Sequence, residues 1–318
     1  MISVLLVAER DNQSEISQST LQAVTAARSL GDAQITAVIA GDADGSASSL
    51  AVDRVVTISA VDSADVGIYE QASAELAALI SSTSPDVVIL SKSDFGSIVG
   101  ARVAFRVDAA FAPDCIEISN TAGSTNVTRP VYGGSALAEF EIASSPAIVT
   151  LRAGAFEPSS DTGSPEVEGF DSGATVDRSV SVSDTIAEAR EGIRLEDADF
   201  VVSGGRGLGG PEPFSVLTDL ANVLGGAVGA SRAACDAGWI DHSHQVGLTG
   251  KSVSPDVYIA VGISGASQHM AGCSSSRAIV AINKDGDSNI FKEARFGVVG
   301  DWEKVLPSFL ATVRDLKA

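Results

Sequence analysis

An α/β fold in two domains is what this sequence predicts. Its 318 residues exceed what one hydrophobic core normally organises, so two cores are the default. Short β-branched runs alternate with longer amphipathic stretches through the first half, and the same alternation returns around five strands after residue 195. Strands joined by helical crossovers pair in parallel and need cover on both faces. The hydrophobic share of 45% is ample for that cover.

The N-terminal domain, 1–194, opens with ISVLLVA (2–8), AQITAVIA (33–40), RVVTISA (54–60) and DVVILS (86–91), all read as strands. Between them Ser14–Leu30, Tyr69–Ser81 and Phe95–Phe105 carry helical periodicity. From Asn126 the texture changes to NVTRPVYGG, SALAEFEIA and AIVTLRAG, which read as antiparallel strands extending the same sheet. Residues 155–177 are rich in Ser, Gly, Pro and acid without period, as an acidic linker or surface excursion would be. The strand-like RSVSVSD and the charged TIAEAREGIRLEDA lead to the second domain, 195–318. That domain reads as a doubly wound five-stranded parallel sheet, with strands at 199–204, 227–231, 257–264, 277–284 and 296–301. Helices fit Pro213–Leu224, Gly265–Gly272 and Trp302–Leu316.

Composition excludes several classes of function. The 41 acidic side chains outnumber 21 basic ones, and a net charge of −20 repels phosphate backbones and anionic headgroups, so no nucleic-acid partner is expected. No apolar run approaches the ~20 residues of a spanning helix, and MISVLLVAER lacks the basic head of a signal peptide. A soluble, cytoplasmic chain is expected, and the acidic shell suits a high-salt cytoplasm, where ions screen self-repulsion. The three cysteines, Cys115, Cys235 and Cys273, are too widely spaced for a CxxC metal site and odd in number for a disulfide framework.

Ligands of open parallel sheets bind beyond the carboxyl ends of the strands. The five C-terminal strands are followed by GGRG with Arg206, by Ser231 and Arg232, by SGASQH from Ser264 to His269, by NKD with Asn283, and by Asp301. Each turn pairs a hydrogen-bonding group with small residues, which together suit a nucleotide. Gly205, Gly207 and Gly210 satisfy G-x-G-x-x-G after a strand, but the acidic residue expected about 20 positions on is missing, which weakens the case for NAD. QVGLTGKS (245–252) only imitates a P-loop: Gln245 stands where the first glycine belongs and Pro255 follows instead of a helix. The stretch still offers Val246, Gly247 and Thr249 as donors to a polar ring edge. Asp241, His242, Ser243 and His244 lack a third strong ligand at a metal-site interval and read as a solvated loop. His269, on the ligand-facing side of the third turn, reads as functional. No nucleophile with an adjacent base appears, because Gly262-Ile263-Ser264-Gly265 misses G-x-S-x-G by one position.

The runs VVSGGRGL, GASRAACDAGW, QVGLTGKSVSPDVYIAVGISGASQHMAG and AIVAINKD, in this order, closely resemble the α subunit of electron transfer flavoproteins. The resemblance continues more thinly through RPVYGGSALAE and LRAGAFEP. It implies a heterodimer in which this chain carries FAD and a β subunit closes over the flavin while holding AMP or a second FAD. The FAD contacts it implies are Arg206, Ser231, Arg232, Val246, Gly247, Leu248, Thr249, Ser264, Gly265, Ala266, Ser267, Gln268, His269, Asn283, Asp301 and Trp302. Arg206 and Ser231 would hold the pyrophosphate, Thr249 would lie near the reactive flavin nitrogen and His269 near the pyrimidine carbonyl. A guanidinium at Arg232 would favour flavin states carrying more negative charge. Leu248 departs from the family, which usually has glutamine there; a backbone amide is left to serve instead. The implied role is an electron carrier without substrate turnover of its own, between acyl-CoA dehydrogenase-type donors and a membrane quinone oxidoreductase. The alternatives are an NADH-linked, electron-bifurcating relative and a non-redox nucleotide-binding scaffold.

Overall fold

A computed structural model gives the fold and describes residues 1–11, 15–43, 45–61, 65–121, 123–134, 136–174, 176, 180–184 and 193–317. The chain divides into two compact units, Met1–Pro130 with Leu137–Glu188, and Val131–Ala136 with Ala189–Ala318. Among the described residues no helix is long and apolar enough to cross a membrane.

In chain order the first unit contains β1 (Ile2–Ala8), α1 (Gln18–Ser29), β2 (Ala33–Ala40), β3 (Arg54–Ile58), α2 (Glu70–Thr83), β4 (Val87–Ser91), α3 (Asp94–Arg106) and β5 (Ala110–Cys115). Next come β6 (Glu117–Thr121), β7 (Ser124–Val131), β8 (Ala136–Ile142), β9 (Ala147–Leu151) and β10 (Glu166–Gly169). Seven of these strands form one parallel sheet in the order β10-β3-β2-β1-β4-β9-β5. Side chains alternate across β1: Val4 and Leu6 pack with Ala23, Val24 and Ala27 of α1, while Leu5 and Val7 pack with Leu76 and Ile80 of α2 and Val99 and Val103 of α3. Burying each of these aliphatic groups stabilises the fold by about 1.5–3 kcal/mol before ordering costs are subtracted. Both faces of the central strands β1, β4 and β9 are therefore covered, and these strands read as near-continuous apolar runs. Ser17 caps α1 by accepting from the Thr20 N–H, and Ser93 caps α3 by accepting from the Gly96 N–H at 2.8 Å. The helix expected from Ser14 thus begins at Gln18, and residue 14 itself lies outside the described residues.

Three expectations are corrected. AIVTL is not an antiparallel extension: β9 pairs in parallel with β4 and β5, inside the sheet. All five of its residues are buried, as a strand covered on both faces requires. NVTRPV and ALAEFEI do not extend the parallel sheet either; β7 and β8 join β6 in a separate three-stranded sheet, with β6 and β7 antiparallel. The stretch 155–177 is not structureless throughout, because EVEG forms the edge strand β10, in parallel register with β3. Of RSVSVSD, residues 180–184 form no regular element, while its first two residues and the charged stretch 185–192 lie outside the described residues.

The second unit follows the expected alternation: β11 (Phe200–Gly204), α4 (Phe214–Leu224), β12 (Ala227–Ala230), α5 (Arg232–Asp236), β13 (Val257–Val261), α6 (Ser267–Cys273), β14 (Ala278–Asn283), α7 (Ile290–Glu293), β15 (Phe296–Val299) and α8 (Trp302–Lys317). Its five strands pair in parallel in the order β12-β11-β13-β14-β15. One face packs Val202, Ile259 and Val261 against Leu217 and Leu220 of α4 and Leu306 and Leu310 of α8. The other packs Val201, Tyr258 and Ala260 against Met270 and Cys273 of α6. Strand order reverses beside β11, so the crevice opens between the carboxyl ends of β11 and β13.

Candidate functional site

The two turns at that crevice are locked together through their backbones. The Gly205 N–H donates to the Val261 carbonyl at 2.8 Å and the Gly207 N–H to the Gly262 carbonyl at 2.9 Å. A Cβ on Gly205 would stand 2.3 Å from the Gly262 oxygen, and one on Gly207 would stand 2.8 Å from the Gly262 Cα. Gly262 itself holds φ +64°, a left-handed conformation that suits glycine. The third glycine of the motif does something else: a Cβ on Gly210 would meet only the flexible tip of Glu212. The motif is therefore a crossing of two turns, not the helix-packing fingerprint of an NAD site.

Around this floor the structure sets the expected residues. Arg206 lies exposed beside the Gly205–Gly262 crossing. Ser231 stands just before α5, its N–H donating to the Gly204 carbonyl at 2.9 Å. Its hydroxyl caps nothing and is buried without a hydrogen-bond partner. Arg232 is exposed and its Nε donates to Asp236 at 3.3 Å. The rim thus offers two exposed guanidinium groups and one unsatisfied hydroxyl on a chain that is otherwise strongly acidic.

The loop 246–249 corrects one expectation. The amides of Val246, Gly247 and Leu248 are all used inside the chain, donating to the carbonyls of Ala230 (2.9 Å), Lys251 (3.1 Å) and Gln268 (2.7 Å). The Leu248 amide, expected to be left for the cofactor, is already engaged in tying the loop to α6. Thr249, exposed, differs: among the described residues its amide meets no acceptor, and its hydroxyl accepts from Gln245 Nε2 at 3.1 Å. Lys251, the would-be P-loop lysine, pairs with Glu196. Burial alone would raise the Glu196 pKa, but the Lys251 hydrogen bond, a backbone hydrogen bond and the Lys251 and Arg194 charges together outweigh it and hold the carboxyl below its usual range.

In the third turn Gly265 holds φ +77° and packs so closely on Ile290 that a Cβ would sit 2.3 Å from its nitrogen. The Ser264 carbonyl accepts from that same N–H at 3.0 Å. Ala266, Ser267 and Gln268 open α6 with amides that have no acceptor among the described residues, as the first turn of a helix leaves them. His269 points inward: it is 7% exposed, and its Nε2 lies 2.9 Å from the Tyr258 hydroxyl. Burial pulls its pKa down to about 4, only partly opposed by the Val246 carbonyl. The imidazole is therefore neutral at ordinary pH and acts as a dipole, not a charge.

Three expected contacts are placed but already engaged. The Asn283 amide donates to the Ile263 carbonyl at 2.9 Å while its oxygen accepts from the Asp285 N–H at 3.0 Å, so this side chain braces the third and fourth turns. Asp301 accepts from the Glu303 N–H at 3.1 Å at the start of α8, and Trp302 is partly packed into the α4–α8 core. His242 and His244 do not converge: His242 Nδ1 faces Gln245 at 3.2 Å, and His244 Nδ1 donates to the Val228 carbonyl at 2.8 Å. Sequence reasoning missed Gly262, Gln245 and Tyr258. Only Gly262 carried a local signal, as a glycine directly ending an apolar strand.

A parallel sheet whose switch-point turns cross at bare glycines, with guanidinium groups and an unsatisfied buried hydroxyl alongside, defines a binding unit for a phosphate-bearing nucleotide cofactor. The family profile described as "Electron transfer flavoprotein domain" matches residues 4–176, and the one described as "Electron transfer flavoprotein FAD-binding domain" matches residues 194–274. The chain is 38% identical over 303 residues to the electron transfer flavoprotein subunit alpha of Bacillus subtilis, covering 92% of each. It is 36% identical over 322 residues to that of Mycobacterium leprae, covering 98% of each. With that of Thermoanaerobacterium thermosaccharolyticum it shares 42% identity over 254 residues, 78% of this chain and 76% of the relative. The chain belongs to the electron transfer flavoprotein subunit alpha family, and its cofactor is FAD.

Proposed function

We propose that this chain is the FAD-bearing half of a heterodimeric electron carrier, taking electrons from acyl-CoA dehydrogenase-type donors and passing them toward a membrane quinone oxidoreductase. The partner is an electron transfer flavoprotein β subunit that holds AMP. The observation that carries the reading is the buried, unpartnered Ser231 hydroxyl beside Arg206, Arg232 and the Gly205–Gly262 crossing. A polar atom withheld from water without a partner costs about 1–3 kcal/mol, which a phosphate oxygen would relieve.

Bound FAD would supply the electron chemistry that no side chain here performs. The protein's contribution is orientation and charge. Arg206 and Ser231 hold the pyrophosphate, and Arg232 biases the site toward negative charge. Thr249 presents donors to the ring edge, and the neutral His269 adds a hydrogen-bonding dipole. The carrier works in the cytoplasm, and the excess of 41 acidic over 21 basic side chains suits one rich in salt.

Arg232→Ala is expected to leave FAD bound, more weakly, and harder to reduce by on the order of 1 kcal/mol per electron. The midpoint potential of the flavin in the purified heterodimer measures this, and an unchanged value removes Arg232 from its role. Titration with NADH separates the carrier from the bifurcating alternative: the carrier's spectrum stays oxidised, and direct bleaching replaces this reading.

A further inference from the structure

We propose that Gln245 is a positioning residue for the flavin: its side-chain amide fills the acceptor side of the Thr249 hydroxyl and leaves the Thr249 proton to be donated outward, at the rim. The proposal rests on the FAD reading above and adds a residue that does not itself reach the rim.

Gln245 is only 6% exposed, and a buried primary amide needs partners at both ends. It has them. Its backbone continues from the carboxyl end of β12 by a parallel bridge to Ala230, and its carbonyl accepts from the Lys251 N–H at 2.7 Å. The loop closes over it so tightly that a Cβ on Gly250 would lie 2.4 Å from the Gln245 oxygen and 2.9 Å from its Cγ. The side chain is thereby held with Nε2 3.1 Å from Thr249 Oγ1 and Oε1 3.2 Å from His242 Nδ1.

Direction is set by valence. An NH2 group only donates, so the Thr249 oxygen is the acceptor in that bond, and the single hydroxyl proton must point elsewhere. The residue is exposed, and its own N–H meets no acceptor among the described residues. Thr249 therefore presents two donors at the rim. Without Gln245 the hydroxyl would be free to rotate, and its proton would point outward only part of the time.

The test is a double-variant cycle on the flavin-loaded heterodimer, reading the midpoint potential of FAD in wild type, Gln245→Met, Thr249→Val and the pair. Each single variant should make FAD harder to reduce, about tenfold in the reduction equilibrium for loss of one well-directed hydrogen bond, and the double variant should match Thr249→Val alone. Additive shifts, or a lowered potential in Thr249→Val with none in Gln245→Met, overturn the positioning role and leave the flavin rim standing. No shift in either variant overturns the rim assignment, and this proposal with it. A second readout does not depend on the Gln245 variant folding. In 15N-labelled heterodimer the Gln245 side-chain N–H resonances should be protected from exchange, and Thr249→Val, which conserves volume, should shift them and speed their exchange. Resonances indifferent to Thr249→Val overturn the proposal.

Discussion

Both parallel sheets reverse strand order beside their first strand, at β1/β4 in one unit and β11/β13 in the other, yet the turns beyond those strands carry different chemistry. After β1 comes Glu9, whose carboxylate accepts from the Ser93 hydroxyl at 2.8 Å across the gap to β4. Burial pushes its pKa up to about 7; the Ser93 bond opposes this and neighbouring Asp94 adds to it. Arg10 is turned aside, donating to the Asp42 carbonyl and the Ser46 hydroxyl. After β11 come glycines whose amides cross to Val261 and Gly262, with Arg206 outside. Topology makes a crevice in each case, and the side chains decide its contents. In the first unit the protein's own carboxyl occupies it; in the second, space and positive charge are kept for a cofactor.

The largest effect should come from filling the second crevice. Gly205→Ala places a Cβ against the Gly262 backbone at 2.3 Å, where no flexible side chain gives way. It should cost about 3 kcal/mol or more and abolish flavin binding, read as FAD absorbance per heterodimer and as the urea midpoint. Full flavin content in that variant would break the contrast between the two rims.

A smaller effect sharpens it from the other side. The folded-state pKa of Glu9 lies above the unfolded value of 4.5, so the fold favours the protonated carboxyl. Its stabilising contribution is complete below pH 4.5 and is lost as pH rises through about 7, amounting to about 3 kcal/mol. Glu9→Gln should flatten the unfolding free energy across that window, gain stability at pH 8 and leave FAD content unchanged. Parallel pH profiles for variant and wild type would mean that Glu9 is charged in the fold.

The smallest expected effect is at the sheet edge. Arg54 and Glu168 join β3 to β10 as a pair 41% and 47% exposed, so Arg54→Ala should change stability by no more than about 0.5 kcal/mol in thermal unfolding. A loss several times larger would show that the edge strand is held chiefly by this pair.

Strands whose environment is uniform are legible to the residue: ISVLLVA and AQITAVIA are apolar because both faces are covered, and nothing else fits that pattern. AIVTL carries the same signal but reads together with its extended neighbours, so its direction is lost. EVEG is invisible because all four of its residues are exposed and an edge strand needs no apolar face. β5 is masked by Pro113 and by a shift in its register against β9 between Ala112 and Cys115. At the site, the turns announce themselves through glycine and arginine. The braces do not, because Gln245, Tyr258 and the inner face of Asn283 gain meaning only from partners brought in by folding.

The crossing of Gly205 and Gly207 with Gly262 also bears on heredity. Every glycine codon begins with the same two bases, and replacing either one encodes a residue with a Cβ or ends the chain. A single inherited base change at those codon positions therefore sets side-chain atoms against neighbouring main chain, and no second change at the opposing glycine relieves it, since that partner has nothing left to remove. This small patch of the gene is fixed by geometry on both sides at once.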